Sequence, residues 1–241
     1  SSSGRFIYGG GSGIGGGDGG TGVGGNGDVE ITGGTITATG VYGAGIGGGR
    51  SADGDVTISG GTIKKATSVF PDNDKASQPG GAGIGGGYAG NGNIIIKDDA
   101  VIEEVQGGEG SAGIGSGVDS VNDAAGNGNK ITIRSNETGT PTVNATGGES
   151  SIDEETEEKI PGGAGIGSGA GDAKADITLE GKVTITATAG KDNVAIGANG
   201  IEQEFSGLAE GSSITRSDSE GNNITLPTDP VPAVPSASGG G

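Results

Sequence analysis

The sequence predicts an all-β fold, a parallel β-helix (β-solenoid) of the right-handed type with about six coils of some 30 residues and three short strands per coil. Three observations carry this. A glycine-rich signature recurs along most of the chain, two short runs of alternating apolar and polar residues follow each copy, and the aliphatic residues are β-branched. The 241 residues include 60 Gly, and 24 Ile and 14 Val stand against 3 Leu; a helical core would favour Leu. With a hydrophobic content of 29% and a formal net charge of −18, composition alone would suggest disorder, but a disordered chain does not place its apolar residues periodically.

The signature reads GSGIGGG from Gly11, GAGIGGG from Gly43 and Gly81, SAGIGSG from Ser111, GAGIGSG from Gly163 and a worn VAIGANG from Val194. Its central residues are Ile14, Ile46, Ile84, Ile114, Ile166 and Ile196, spaced by 32, 38, 30, 52 and 30 residues. The first alternating run is DVEIT from Asp28, DVTIS from Asp55, NIIIK from Asn93, KITIR from Lys130 and DITLE from Asp176. It follows a polar Gly-rich step, often Asn-Gly or Asp-Gly. The second is TITAT from Thr35, TIKKA from Thr62, AVIEE from Ala100, TVNAT from Thr142 and TITAT from Thr184. Period two with β-branched residues reads as strand; Ser150 to Lys159 alone has a helical flavour.

One such unit cannot bury a face, whereas stacked units can. The expected core columns are the six signature isoleucines; Val29, Val56, Ile94 and Ile177; and Ile36, Ile63, Val101, Val143 and Ile185. Each buried Ile or Val contributes about 1.5–3 kcal/mol. The glycines around each signature Ile let one wall lie flat and permit positive φ at a corner; a polyglycine II bundle is the rival geometry for Gly9 to Gly27. The expected organisation is a lead-in or cap over residues 1–10, repeats over 11–200, a degenerate closing coil or cap over 201–226 and a Pro/Gly/Ser linker over 227–241. The Ser-Ser-Ser start and that linker suggest an excerpt of a longer chain with flanking domains. Insertions fall between the second run and the next signature, at Ser68 to Gln78, Gln106 to Gly110 and Gly147 to Pro161. Repeat proteins gather such variation on one edge, often the functional one.

No Cys and no His removes disulfide frameworks, thiolate sites, the commonest zinc ligand and His-based triads. The acidic balance opposes nucleic acid and anionic membranes as partners, and no apolar run is long enough to span a bilayer. Corner carboxylates (Asp18, Asp28, Asp53, Asp55, Asp72, Asp74) could hold calcium through oxygen ligands, although GGGDGGTGV from Gly15 lacks the tandem nine-residue period of calcium β-rolls. The expectation is no cofactor, with calcium the one ion to test. Asp28, Asp55 and Asp176 with Lys64, Lys97, Lys130 and Arg134 are the residues a polysaccharide-cleaving β-helix would use, but Asp is equally a corner residue, and six aromatics leave little for sugar stacking. No catalytic residues are assigned. Thr-x-Thr ladders suit ice, yet the outward column after Thr37 reads Lys64, Ile102, Asn144, Thr186, with Lys65, Glu103 and Glu104 roughening that face.

The pairing of GAGIGGG with DVTISGGT (Asp55 to Thr62) resembles the glycine-rich repeats of large cell-surface proteins of Gram-positive bacteria, over Gly11 to about Gly200. The resemblance implies a parallel β-helix module in a wall-attached or secreted protein, structural or adhesive rather than enzymatic, with an extracellular glycan or host or cell-surface ligand as partner. It carries over no binding residue. A carbohydrate-binding module, with or without calcium, is the alternative.

Overall fold

The computed structural model describes residues 10–17, 24–69, 80–122, 128–136, 139–152, 157–171 and 173–230. Coil one contains β1 (Ile14–Gly15), β2 (Gly27–Ile31) and β3 (Thr35–Val41); coil two contains β4 (Ile46–Gly47), β5 (Gly54–Ile58) and β6 (Thr62–Val69). Coil three contains β7 (Ile84–Gly85), β8 (Gly92–Lys97) and β9 (Val101–Gln106); coil four contains β10 (Ile114–Gly115), β11 (Asn129–Arg134) and β12 (Thr142–Thr146). A small hairpin, β13 (Ser151–Ile152) and β14 (Lys159–Ile160), precedes coil five, made of β15 (Ile166–Gly167), β16 (Ala175–Glu180) and β17 (Thr184–Thr188). The stack closes with β18 (Ile196–Ala198), β19 (Ile201–Glu202), β20 (Ser213–Ser217) and β21 (Asn223–Ile224).

Equivalent strands pair in parallel from coil to coil and form three walls, ordered β1-β4-β7-β10-β15-β18, β2-β5-β8-β11-β16 and β3-β6-β9-β12-β17-β20. Antiparallel β19 and β21 complete the first and third walls at the C-terminal end. The protein is therefore a parallel β-helix. On the first wall the signature isoleucines are mutual register partners from Ile14 to Ile196. Ile46, Ile84, Ile114, Ile166 and Ile196 are fully buried, whereas Ile14, in the end coil, is partly exposed.

The second wall sends two columns inward, Val29-Val56-Ile94-Ile131-Ile177 and Ile31-Ile58-Ile96-Ile133-Leu179. The third sends in Ile36-Ile63-Ile102-Val143-Ile185-Ile214. Here the expected register is corrected: Ile102, not Val101, occupies the core column, and Val101 pairs with Thr62 and Thr142. The cause is one extra outward residue in both β6 and β9. Lys64 and Lys65 together occupy the place of Thr37, and Glu103 and Glu104 that of Asn144. Adjacent strands bulge together, and Lys64–Glu103 and Lys65–Glu104 pair across the coils at 2.6 Å each. A second correction concerns Ser150 to Lys159. Its described ends form the antiparallel hairpin of β13 and β14 rather than a helix.

The glycines have a steric reason. After each signature Ile, the Gly adopts φ between +124° and +152° at positions 15, 47, 85, 115, 167 and 197. A Cβ at any of the first five would fall on the carbonyl oxygen of the matching Gly in the next coil. This wall is also directional. Gly45, Ile46 and Gly48 donate their N–H groups to Ala82, Gly83 and Gly85 at 3.1, 3.0 and 2.9 Å, and Gly83, Ile84 and Gly86 repeat the pattern onto coil four. The Asn-Gly and Asp-Gly steps serve the neighbouring corner: Asn26 Oδ1 accepts the Asp53 N–H at 3.2 Å, and Asp53 Oδ1 accepts the Asn91 N–H at 2.8 Å.

Candidate functional site

The insertion-bearing edge between the third wall and the next Ile-Gly pair is where the chain departs most from its repeat, and its loop bases are held by buried hydroxyls. Ser68 Oγ donates to the Gly43 carbonyl at 2.8 Å and accepts the Gly81 N–H at 2.9 Å, joining the two ends of the first insertion. Ser111 Oγ donates to the Gly80 carbonyl at 2.5 Å and accepts the Val118 N–H at 2.9 Å, which fixes the second. Both serines are buried. In the third insertion, Lys159 is ion-paired to Asp192. That hydrogen bond holds the Asp192 carboxyl below its ordinary value. On the same side, Arg50 lies 5.8 Å from the ring centre of Tyr42 and 5.6 Å from that of Tyr88, and the Tyr88 hydroxyl donates to Asp119 at 2.9 Å. An edge that is rigid at its base and variable at its tips is suited to presenting loops.

The carboxylates named from sequence do not converge. Asp28 and Asp55 are exposed register partners on the second wall, continuing through Asn93 and Lys130 to Asp176. Asp53 is engaged in the corner ladder, and Asp18, Asp72 and Asp74 lie outside the described residues. Among the described residues, no three acidic side chains are grouped to hold a metal ion. Lys64 is paired with Glu103, while Lys130 and Arg134 are exposed on the second wall. The outward rows of the third wall are hydroxyl-rich at the C-terminal end, where Thr184, Thr186 and Thr188 match Ser213, Thr215 and Ser217; nearer the N-terminus the Lys–Glu pairs interrupt them.

The C-terminal end carries a site that the reading above did not single out. The coil that opens with β18 has no parallel successor to receive the N–H groups of Ala195 and Ile196, and adjacent outward N–H groups attract an anion. Glu202 fills that role, accepting from Ala195 at 2.5 Å and Ile196 at 3.1 Å. Arg216, its side chain fully buried in the column that Ala187 occupies one coil earlier, donates to Glu202 at 2.6 Å. It also grips Asp229 in bidentate fashion at 2.8 and 3.0 Å, donates to the Gln203 carbonyl at 2.8 Å, and lies 5.5 Å from the Phe205 ring centre. A cleft of about 240 Å³ opens beside it, lined by Ile214, Thr215, Asn223, Ile224 and Pro230. The signal was present in SITRS, where the inward phase that starts at Ile214 places a charge at 216.

Among the described residues, no helix is long and apolar enough to cross a membrane. A family model described as a beta helix repeat matches residues 29–50 and 56–88, the stretch from the second wall of coil one to the signature of coil three. A search of curated proteins and a search of solved structures returned no match. Over the matched stretch the chain is similar to beta helix repeat proteins, in agreement with the three parallel walls.

Proposed function

We propose that this β-solenoid is a structural and adhesive module of a bacterial extracellular protein, non-enzymatic, secreted or attached to the cell wall. It acts as a rigid rod that holds its inserts out from one edge towards a glycan or a host or cell-surface ligand. The observation that supports this most is the pinning of the loop bases by Ser68 and Ser111, which couples variable tips to an unbroken core. The resemblance of the GAGIGGG and DVTISGGT units to Gram-positive surface repeats supports the setting, and the net charge of −18 keeps such a rod soluble.

The test compares the full chain with a variant whose three inserts are replaced by short Gly-Ser links, on a panel of immobilised glycans and matrix proteins. Binding that is lost in the variant while its circular dichroism is retained supports the reading. Binding that survives loss of the inserts, or no binding by the full chain, contradicts it. A carbohydrate-binding module that uses a strand face is favoured by the hydroxyl rows of the third wall. In that reading binding to one polysaccharide class survives in the variant, and its loss with a chelator would implicate calcium.

A further inference from the structure

Four Asn-Gly steps occur in the chain, and the fold treats them unequally. In Asn26–Gly27 the Asn side chain is tied to the Asp53 N–H, and the Gly27 N–H donates to the Asp53 carbonyl at 2.9 Å. In Asn91–Gly92 the Asn Nδ2 donates to the Val121 carbonyl at 2.9 Å, and the Gly92 N–H donates to Asn129 Oδ1 at 2.8 Å. Asn127 lies outside the described residues. Asn199–Gly200 is different: it is the exposed two-residue turn between β18 and β19, with φ of 53° and 72°. Its Asn side chain has no hydrogen-bond partner among the described residues, and nothing lies within 4 Å of the position a Gly200 Cβ would take.

We propose that Asn199 is a site of spontaneous covalent modification, a deamidation and isomerisation centre built into the C-terminal cap. The Gly200 amide nitrogen, having lost its proton to solvent, attacks the Asn199 side-chain carbonyl carbon. The N–C bond forms, the bond to the side-chain nitrogen breaks, and ammonia leaves with a proton from water. The resulting five-membered succinimide is opened by water at either carbonyl, giving aspartate or isoaspartate. Water is the only co-reactant and no electron is transferred. Gly suits the attacking position because it has no side chain to hinder ring closure and is conformationally permissive. At Asn26 and Asn91 the same reaction requires the corner hydrogen bonds to open first. At Asn199 it requires only the movement of an exposed turn.

The position gives the reaction a consequence. Gly197 and Ala198 pair with Glu202 and Ile201, so this turn sets where the Glu202 carboxylate meets the Ala195 and Ile196 N–H groups. Isoaspartate adds a backbone atom to a two-residue turn and a negative charge three residues from Glu202.

The test incubates the folded full chain at mildly alkaline pH and maps tryptic peptides, with isoaspartyl methyltransferase labelling to identify the isomer. Residues 192–216, 6–50 and 76–97 fall on separate peptides that report Asn199, Asn26 and Asn91 in turn. The peptide bearing Asn199 is expected to gain about one dalton and the label at least about tenfold faster than the other two, since tied side chains react only through local opening. In urea the three should converge, and Asn199→Gln should abolish the 192–216 signal in the folded protein. Equal rates in the folded protein, or faster conversion at Asn26 or Asn91, would overturn the proposal. Hydrogen exchange at Ala195 and Ile196 is expected to quicken in the isoaspartyl form; unchanged exchange would overturn the link to the cap.

Discussion

Gly85 combines a φ of +131° with a next-coil carbonyl where its Cβ would be. A Gly85→Ala substitution should therefore cost about 2–4 kcal/mol, from left-handed strain plus displacement of coil four, as measured by the urea midpoint. The isoleucine beside it is governed by a different term. Ile114→Ala should lose about 2–5 kcal/mol because the site is closed on all sides, whereas Ile14→Ala, in the partly exposed end coil, should lose less. Equal losses at Ile14 and Ile114 would contradict the end-to-middle gradient. Arg216 bonds Glu202, Asp229 and the Gln203 carbonyl. Arg216→Ala should cost about 3–5 kcal/mol, because it leaves Glu202 and Asp229 without their cation in a closed site. The alanine itself fits, since Ala187 occupies the same column.

Among the elements, the third wall shows how local chemistry sets register. Lys64–Glu103 and Lys65–Glu104 are exposed, so exchanging lysines for glutamates at one pair should cost no more than about 1 kcal/mol, with the charge-swapped pair restoring it. Thermal melts of the single and double exchanges check this. The hairpin of β13 and β14 pairs only with itself, and removing residues 152–159 should leave the melting temperature nearly unchanged; a large fall would show that the insert supports the stack. The strand runs and the signature column were legible because period two and a recurrent Ile survive any local irregularity. The Val101 register was not, because a bulge shifts phase without altering composition. The clue was pairwise, VIEEVQ against TIKKAT, where both Lys–Glu pairs align only if Ile102 meets Ile63. The hairpin was misread because an acidic run with few β-branched residues looks helical when its antiparallel partner is ignored. The cap needed knowledge that three N–H groups of each signature point to the following coil, which no periodicity reveals.

At the scale of the molecule, the signature N–H groups that point to the following coil leave the C-terminal end with donors to satisfy. The C-terminal end presents donors and is sealed by Glu202, Arg216 and Asp229. Its seal consists of carboxylates bonded to N–H groups and to one cation. At the turn that follows, hydrogen bonds from Asn222 hold the Asp218 carboxyl below its ordinary value of 3.8. Its contribution is therefore present above that value and is lost as the pH falls through the depressed one. Glu202→Gln keeps the shape but removes the anion; it should lower the melting point and expose an edge to which a second chain could add, seen as larger species by light scattering.

Native-state hydrogen exchange on the first wall tests the central claim most directly. If neighbouring coils are joined by bonds from each signature to the next, the amides of Ile46, Ile84 and Ile114 should exchange only at the rate of global unfolding. Those of Ala195 and Ile196 should match them in the wild type and quicken in Glu202→Gln. Rapid exchange at the central isoleucines, or no response at Ala195 and Ile196 to loss of the Glu202 charge, would contradict the account.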